Sequence, residues 1–307
     1  MTDPEILIVG AGPAGMTAGI YASRAGHSTL ILEKEITGGQ LAKTATVENY
    51  PGFAEPVNAY DLIQRMETQA RRFGCQFQQA EALKLQTSPG GLKVLTTNGT
   101  VSPGALIICS GTQPRPLGLE NEKELTGRGI SYCAICDGPL YQNREVAVVG
   151  GGDSALEEAE YLTRFCSRVH LIHRRDQFRA AKVIEQKVRQ NPKIILHLSC
   201  VVRKINGTER LNGLEIEELK TGNRQLLEVA GLFIYIGLIP NTAWCREVVL
   251  VDANGFIITD EHLQAGPPGI FAAGDCRQKT VRQIATAVGD GAIAATSAHD
   301  YLTRLAG

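Results

Sequence analysis

The pattern that most limits how this chain can fold occurs twice, 140 positions apart. In the first copy the short apolar run Glu5 to Val9 reads as a buried parallel strand and leads straight into Gly10-Ala-Gly-Pro-Ala-Gly15. A helical pattern from Met16 to Ala25 follows, then Gly26 and a second strand, Ser28 to Leu32, that ends at Glu33. The second copy reads Glu145 to Val149 as strand, Gly150-Gly-Gly-Asp-Ser-Ala155 as turn, Leu156 to Phe165 as helix and Val169 to Ile172 as strand. Each copy is the βαβ layout of a dinucleotide-binding unit. Two copies predict an α/β fold with two Rossmann-like domains and two bound dinucleotides.

The rest of the chain fits parallel sheets with antiparallel meanders added. Asp61 to Phe73 has the spacing of an amphipathic helix, while Gly91 to Thr97 and Thr100 to Cys109 read as strands around the hairpin dipeptide Asn98-Gly99. Further strands are expected at Lys193 to Leu198, Leu211 to Leu219 and Leu226 to Ile236, with turns at Asn212-Gly213 and Thr221-Gly222-Asn223. Pro114 to Pro116 and Gly237 to Asn241 each follow a buried strand and bring in proline, which marks them as linkers. They divide the chain into residues 1–113, 114–240 and 241–307, the middle segment being a domain inserted within the other. At roughly 150 residues per domain the chain has room for two cores.

A glycine turn lets backbone approach a pyrophosphate, and the helix behind it offers free N–H groups and a positive dipole end. Glu33, 23 positions after Gly10, can accept both hydroxyls of a ribose and would repel a 2'-phosphate. At the same offset from Gly150 stand His173, Arg174 and Arg175, with Arg179 close behind. That exchange of an acid for a basic cluster predicts the 2'-phosphate of NADPH as ligand, held by charge-assisted pairs. Between the two turns lies Cys133-Ala-Ile-Cys136, followed at once by Asp137. Two cysteines three apart can close a small, readily reduced disulfide, and a neighbouring carboxylate can move the proton that thiol and thiolate exchange. A zinc site from Cys133, Cys136, Cys166 and His170 is the competing reading, weakened by the lack of a second C-x-x-C; two buried thiols without chemistry is another. Cys75, Cys109, Cys166, Cys200, Cys245 and Cys276 stand alone and read as small core residues.

Composition removes other classes. Lys and Arg total 31 against 32 Asp and Glu, so the chain carries no global basic field for nucleic acid or an anionic membrane. No apolar run approaches the roughly 20 residues of a membrane span, and Met1-Thr-Asp-Pro-Glu lacks the positive start of a secretory signal. Eight cysteines in 307 residues are too few for a disulfide scaffold. A cytoplasmic protein is expected.

With these residues in place, the chain closely resembles the low-molecular-weight thioredoxin reductases, flavoproteins of the pyridine nucleotide-disulfide oxidoreductase superfamily. The resemblance runs from about Glu5 to Leu302 through Gly10 to Gly15, Gly38-Gly-Gln40, Glu48-Asn-Tyr-Pro-Gly52, Cys133-Ala-Ile-Cys-Asp-Gly138, Gly150 to Ala155, His173 to Arg179, Gly269-Ile-Phe-Ala-Ala-Gly-Asp275 and Arg282-Gln283. It implies a homodimer in which the first and last segments bind FAD and the middle one binds NADPH and carries the redox disulfide. FAD contacts implied by the resemblance are Gly10, Gly12, Pro13, Ala14, Gly15, Glu33, Lys34, Gly39, Gln40, Leu41, Asn49, Gly111, Gly274, Asp275, Arg282, Gln283 and Ile284. Those implied for NADPH are Gly150, Gly152, Asp153, Ser154, His173, Arg174, Arg175, Arg179 and Gly237. Cys136 would lie nearest the flavin, Cys133 would attack the disulfide of a thioredoxin, and Asp137 would be the acid-base. Because the NADPH motif and the cysteine pair share one domain yet both must reach one flavin, a hinge at the two linkers is expected. Two segments depart from the family pattern: Pro139-Leu140 replaces an aromatic pair, and Cys109-Ser-Gly111 replaces an A-T-G. A dithiol oxidase and a ferredoxin-fed thioredoxin reductase are the alternatives on the same fold, and for both the basic cluster at 173–179 would be superfluous.

Overall fold

Strands that are apolar along their whole length cannot face water on either side, and such strands form the middle of both main sheets. The structure, a computed structural model, describes residues 3–43, 46–47 and 49–306; Met1, Thr2 and Glu48, on which parts of the sequence reading rest, lie outside them. It divides into two units, Met1–Gln113 with Ile239–Gly307, and Pro114–Leu238. In the first unit a five-stranded parallel sheet runs in the order Ile270–Ala272, Ala105–Ile108, Ile6–Val9, Thr29–Glu33, Gln76–Gln79. The second unit repeats the plan with Ile130–Ser131, Gly231–Tyr235, Glu145–Gly150, Arg168–His173 and Ile194–Leu198, again all parallel. In each sheet the strand that enters the glycine turn is central. Each unit also carries a three-stranded antiparallel meander, Ala82–Ser88 to Val101 in the first and Cys200–Asn206 to Leu227 in the second. The expected α/β class with antiparallel additions therefore holds.

Local boundaries differ from the sequence reading for identifiable reasons. Both crossover helices begin earlier, at Pro13 and Asp153, because extended Gly12 and Gly152 act as N-caps and proline suits a first helical position that has no N–H partner. The second stops at Leu162, where Arg164 and Phe165 close tighter i to i−3 bonds on Tyr161 and Leu162. The expected strand Thr100 to Cys109 is two strands, Gly99–Val101 and Ala105–Ile108, broken at Pro103-Gly104. Leu226 to Ile236 is likewise two, because the chain leaves the meander at Leu227 and enters the parallel sheet at Gly231. The chain crosses between units in Thr112–Pro114 and Leu238–Pro240, which pair with each other; Arg115 N–H donates to Gly237 O, and Asn241 N–H to Gly111 O.

The last helix, Ile284–Ala306, packs along Pro13–Arg24 through small residues. A Cβ on Gly291 would run into the carbonyl oxygen of Ala14, whereas one on Gly289 would meet nothing within 4 Å. One carboxylate ties this helix to the loop after Ile270–Ala272. Buried Asp290 accepts both Arg277 Nε and Nη2 at 2.8 Å, Lys279 Nζ at 2.8 Å and the N–H of Gly274 at 2.9 Å. Burial alone would push its carboxyl up, but the hydrogen bonds from Arg277 and Lys279 hold it below the ordinary range.

Two stability predictions follow from these contacts. Gly291→Ala should lower the unfolding free energy by about 1–3 kcal/mol through backbone overlap, while Gly289→Ala should raise it by up to about 1 kcal/mol, both read from urea denaturation. Because Asp290 is depressed in the folded state, its contribution is present above the ordinary carboxylate pKa and is lost as the pH falls through the lowered value. Asp290→Asn should therefore cost about 3–5 kcal/mol at neutral pH, and the gap to wild type should narrow in acid. An unchanged gap would separate Asp290 from the acid limb of the stability curve.

Candidate functional site

In open parallel sheets ligands bind beyond the carboxyl ends of the strands, where the first glycine turn lies. Gly10 has a φ of +108°, and a Cβ there would strike the carbonyl of Cys109, so no other residue fits. Gly15 is as tightly held against the Gly10 carbonyl, while Gly12 is open. Pro13 and Ala14 form the first helical turn. Glu33 is drawn into the turn, since Oε2 accepts Ala11 N–H at 2.8 Å and Oε1 accepts Glu35 N–H at 3.1 Å. Lys34, by contrast, spends its ammonium on Glu81 at 2.8 Å. Gly39, Gln40 and Leu41 form a tight turn, with the Gln40 amide donating to Thr112 O and Gly39 lying 3.5 Å from Gly12 Cα by its would-be Cβ.

The neighbouring strand ends bring more of the expected contacts together. Asn49 Nδ2 donates to Gln283 Oε1 at 3.1 Å, joining residues 234 positions apart. Gly274, with a φ of +80°, faces Ala14, and Gly111 also lies at positive φ. Arg282 reaches the carbonyls of Asp275 and Arg277, each at 3.4 Å, and stands 4.1 Å over the Phe256 ring. Gln283 caps toward Thr286 just before the helix that Ile284 begins. Three side-chain oxygens here, Asp275 Oδ1, Ser110 Oγ and Thr112 Oγ1, are buried without a hydrogen-bond partner. Burial pushes the Asp275 carboxyl up against the pull of Lys279 and Arg282. A hydroxyl-rich ligand would satisfy such atoms, which apolar packing would not.

In the second unit Gly150 lies too close to the Tyr235 carbonyl for any Cβ, and Gly152 is open. Asp153 accepts Ala181 N–H at 2.7 Å and Ser154 is exposed. Arg174, Arg175 and Arg179 are exposed beside this turn, and none has a salt-bridge partner among the described residues. Arg179 N–H donates to Gly151 O at 2.7 Å, which fixes the cluster to the turn. His173 differs from them: its ring is buried under Gly151, stacks on Phe178 and donates from Nε2 to Gln177 O at 3.1 Å. Burial lowers its pKa, as do the three arginines, so it supports the loop as a neutral ring. Gly237 lies at φ +116°.

Cys133 and Cys136 are joined in a disulfide with Cα atoms 5.4 Å apart. Their loop is held from several sides. Ser131 Oγ accepts Cys133 N–H at 3.0 Å, Tyr235 OH accepts Ala134 N–H at 2.6 Å, and Cys133 O accepts Asp137 N–H at 3.2 Å. Cys136 and Asp137 thus lie on the single helical turn Ala134–Asp137, which Cys133 caps; Ile135 on that turn and Leu140 just beyond it are exposed. Cys166 is buried and His170 is engaged by Glu145 and His197, each at 3.0 Å. Among the described residues no three His, Cys, Asp or Glu side chains are placed to hold a metal.

Sequence reasoning passed over Asp290, Phe256 and Tyr235, which position Gly274, Arg282 and the disulfide loop. It also passed over buried Glu122, which accepts N–H groups from Leu117, Gly118 and Leu119 and the hydroxyl of Tyr132. None lies in a motif, and only the fold brings each to its partner.

Residues 4–291 match the family model described as pyridine nucleotide-disulphide oxidoreductase. A thioredoxin reductase of Listeria monocytogenes is 41% identical over 302 residues, 98% of this chain and 94% of that one. One of Bacillus subtilis is 40% identical over 302 residues, 98% and 95% of the two chains. Among solved structures, Lactococcus lactis thioredoxin reductase in its FR conformation matches with a TM-score of 0.85 at 39% identity, covering 98% of this chain and 99% of that one. With a family match across nearly the whole chain and relatives at this identity over the same span, the chain belongs to the pyridine nucleotide-disulphide oxidoreductases, in the branch of the thioredoxin reductases.

Proposed function

We propose that the chain is an NADPH-dependent thioredoxin-disulfide reductase that uses FAD. The observation that carries this reading is a C-x-x-C disulfide on the same unit as a glycine turn flanked by three unpaired arginines. The unit made by 1–113 and 239–307 is the FAD-binding domain, and 114–238, two residues shorter than the linkers suggest, is the NADPH-binding domain. Arg174, Arg175 and Arg179 hold the 2'-phosphate, and the Gly150 to Ser154 turn, with Gly237, holds the rest of the dinucleotide. In the other unit the Gly10 to Gly15 turn takes the pyrophosphate and Glu33 the ribose. The orphaned oxygens of Asp275, Ser110 and Thr112 suit the hydroxyls of FAD, with Gly39 to Leu41, Asn49, Gly274, Arg282, Gln283 and Ile284 lining the flavin.

When bound, the two cofactors supply a hydride from NADPH and an electron pair to the disulfide. The remaining chemistry belongs to the chain. Reduction breaks the Cys133–Cys136 bond, leaving one sulfur as thiolate and the other as thiol; Asp137, on the same turn, moves the proton between sulfur and solvent. Cys133 thiolate attacks a thioredoxin disulfide, and Cys136 then resolves the mixed disulfide and releases the reduced partner. Exposed Ile135 and Leu140, on and just after the turn that Cys133 caps, offer that partner an apolar contact. The six free cysteines are all buried, which suits a reducing compartment, and we read the protein as a cytoplasmic homodimer. No helix among the described residues is long and apolar enough to cross a membrane. The arginine cluster weighs against a dithiol oxidase or a ferredoxin-fed enzyme, neither of which reads a 2'-phosphate.

Anaerobic stopped-flow absorbance separates these readings. NADPH should bleach the flavin rapidly, and oxidised thioredoxin should restore its colour in wild type but not in Cys136→Ser; a flavin left oxidised by NADPH would overturn the proposal. Replacing either Arg174 or Arg175 by Ala should raise KM for NADPH about 10- to 100-fold and leave that for NADH within about twofold, because one lost charge-assisted bond is worth ~1.5–3 kcal/mol. Equal effects on both coenzymes would remove the phosphate-reading role.

A further inference from the structure

Glu158 is a carboxylic side chain that the proposed chemistry leaves unused. It lies on the helix Asp153–Leu162, which packs against the Ala134–Asp137 turn. Leu162, Tyr161 and Phe165 close over Gly138, where a Cβ would sit 3.1 Å from Leu162. Glu158 is on the same stripe, three and four positions before Tyr161 and Leu162, and so lies one turn along toward the glycine turn. Its Oε2 is buried with no hydrogen-bond partner. Its charge acts on the Tyr235 hydroxyl, which accepts the Ala134 N–H at 2.6 Å, one residue from Cys133.

Among the described residues no cation pairs with it, and Lys187 of the adjoining helix Lys182–Gln190 is exposed. On its own helix the neighbour is Glu157, and Asp153 is engaged by Ala181. The strand Gly231–Tyr235 presents Tyr235, and the disulfide turn presents Asp137. Lys182 and Arg189 of the adjoining helix are paired with Glu185, while Arg168 and His170 of the next strand are paired with Glu145 and His173 with Gln177 O. Burial, and then the charge of Glu157, push the Glu158 carboxyl up to about 7.

We propose that Glu158 takes up a proton from solvent when the Cys133–Cys136 disulfide is reduced, as a site of protonation separate from Asp137. Two electrons from a dithiol or a reduced flavin break the S–S bond; one sulfur takes a proton through Asp137 and becomes a thiol, and the other stays a thiolate on the turn against which the helix of Glu158 packs. The new negative charge raises the proton affinity of Glu158, which then binds one proton from water and becomes neutral. Glu158 is here a positioning residue for charge: it offsets the thiolate through the Tyr235 and Ala134 contact. The inference rests on the dithiol chemistry proposed above, but its test needs neither NADPH nor thioredoxin.

The holoenzyme is equilibrated with dithiothreitol redox buffers between about pH 6 and 9, and the Cys133–Cys136 state is read by alkylation and peptide mass analysis, in wild type and Glu158→Gln. The two proteins should coincide at the acid end. Above about pH 7 wild type should become harder to reduce than the variant, reaching a difference of about three- to tenfold in the equilibrium constant. Parallel curves across the range would overturn the proposal, since a merely structural role shifts the potential without a pH-dependent gap. Should the variant fail to fold, the reduced-minus-oxidised infrared spectrum decides. A carboxylic acid C=O band should appear on reduction and persist in Asp137→Asn, and its absence would overturn the proposal as surely.

Discussion

Backbone meeting backbone at the end of a central strand is the constraint on which both units depend. Ile6–Val9 and Glu145–Gly150 are each buried between parallel neighbours, so the chain must turn sharply at their carboxyl ends without leaving the sheet. Gly10 under the Cys109 carbonyl and Gly150 under the Tyr235 carbonyl permit that turn. The helix that follows then points its free N–H groups at the place where several strands end. The site is in this sense a by-product of sheet packing: the residues that make the turn possible also make it an anion cradle.

Against this shared frame, the differences between the copies specify function. The acid at Glu33 faces the first turn and is partly occupied by Ala11 and Glu35 N–H groups, whereas the arginines at 174, 175 and 179 project unpaired beside the second. The disulfide turn lies on the second unit and borrows its rigidity from Ser131 and Tyr235, both at ends of strands in that unit's sheet. Asp290 performs the matching task in the first unit, holding Gly274 and two cations against the terminal helix.

Features set by local spacing were legible in the sequence. The two βαβ units, the acid-for-arginine exchange and the cysteine pair each occupy a short window with its own periodicity or motif. Features set by burial or long-range contact were not. Ala82–Ser88 buries only one side chain fully and so shows no clear alternation, and the helix Ile284–Ala306 packs through alanine and glycine, which give a weak apolar period. His173 reads as part of the basic cluster, yet it ends the buried strand Arg168–His173 with its ring under Gly151, while Arg174 and Arg175 lie beyond that strand and are exposed. Asp290 and Phe256 are invisible in sequence because their partners lie eleven or more positions away and on other elements.

The paired strands Thr112–Pro114 and Leu238–Pro240 bear on how such a chain arose. Seen from the first unit, some 120 residues leave and return at adjacent points, as they would around a hairpin. An insertion whose own ends meet once it has folded adds little loop-closure entropy to its host. A duplicated βαβ domain could therefore be grafted into a surface turn of its own ancestor while the host kept its sheet order. Four strands run in the same order in the two sheets, as such a graft would leave them, and only the edge strand differs, last in the chain in one sheet and first in the other.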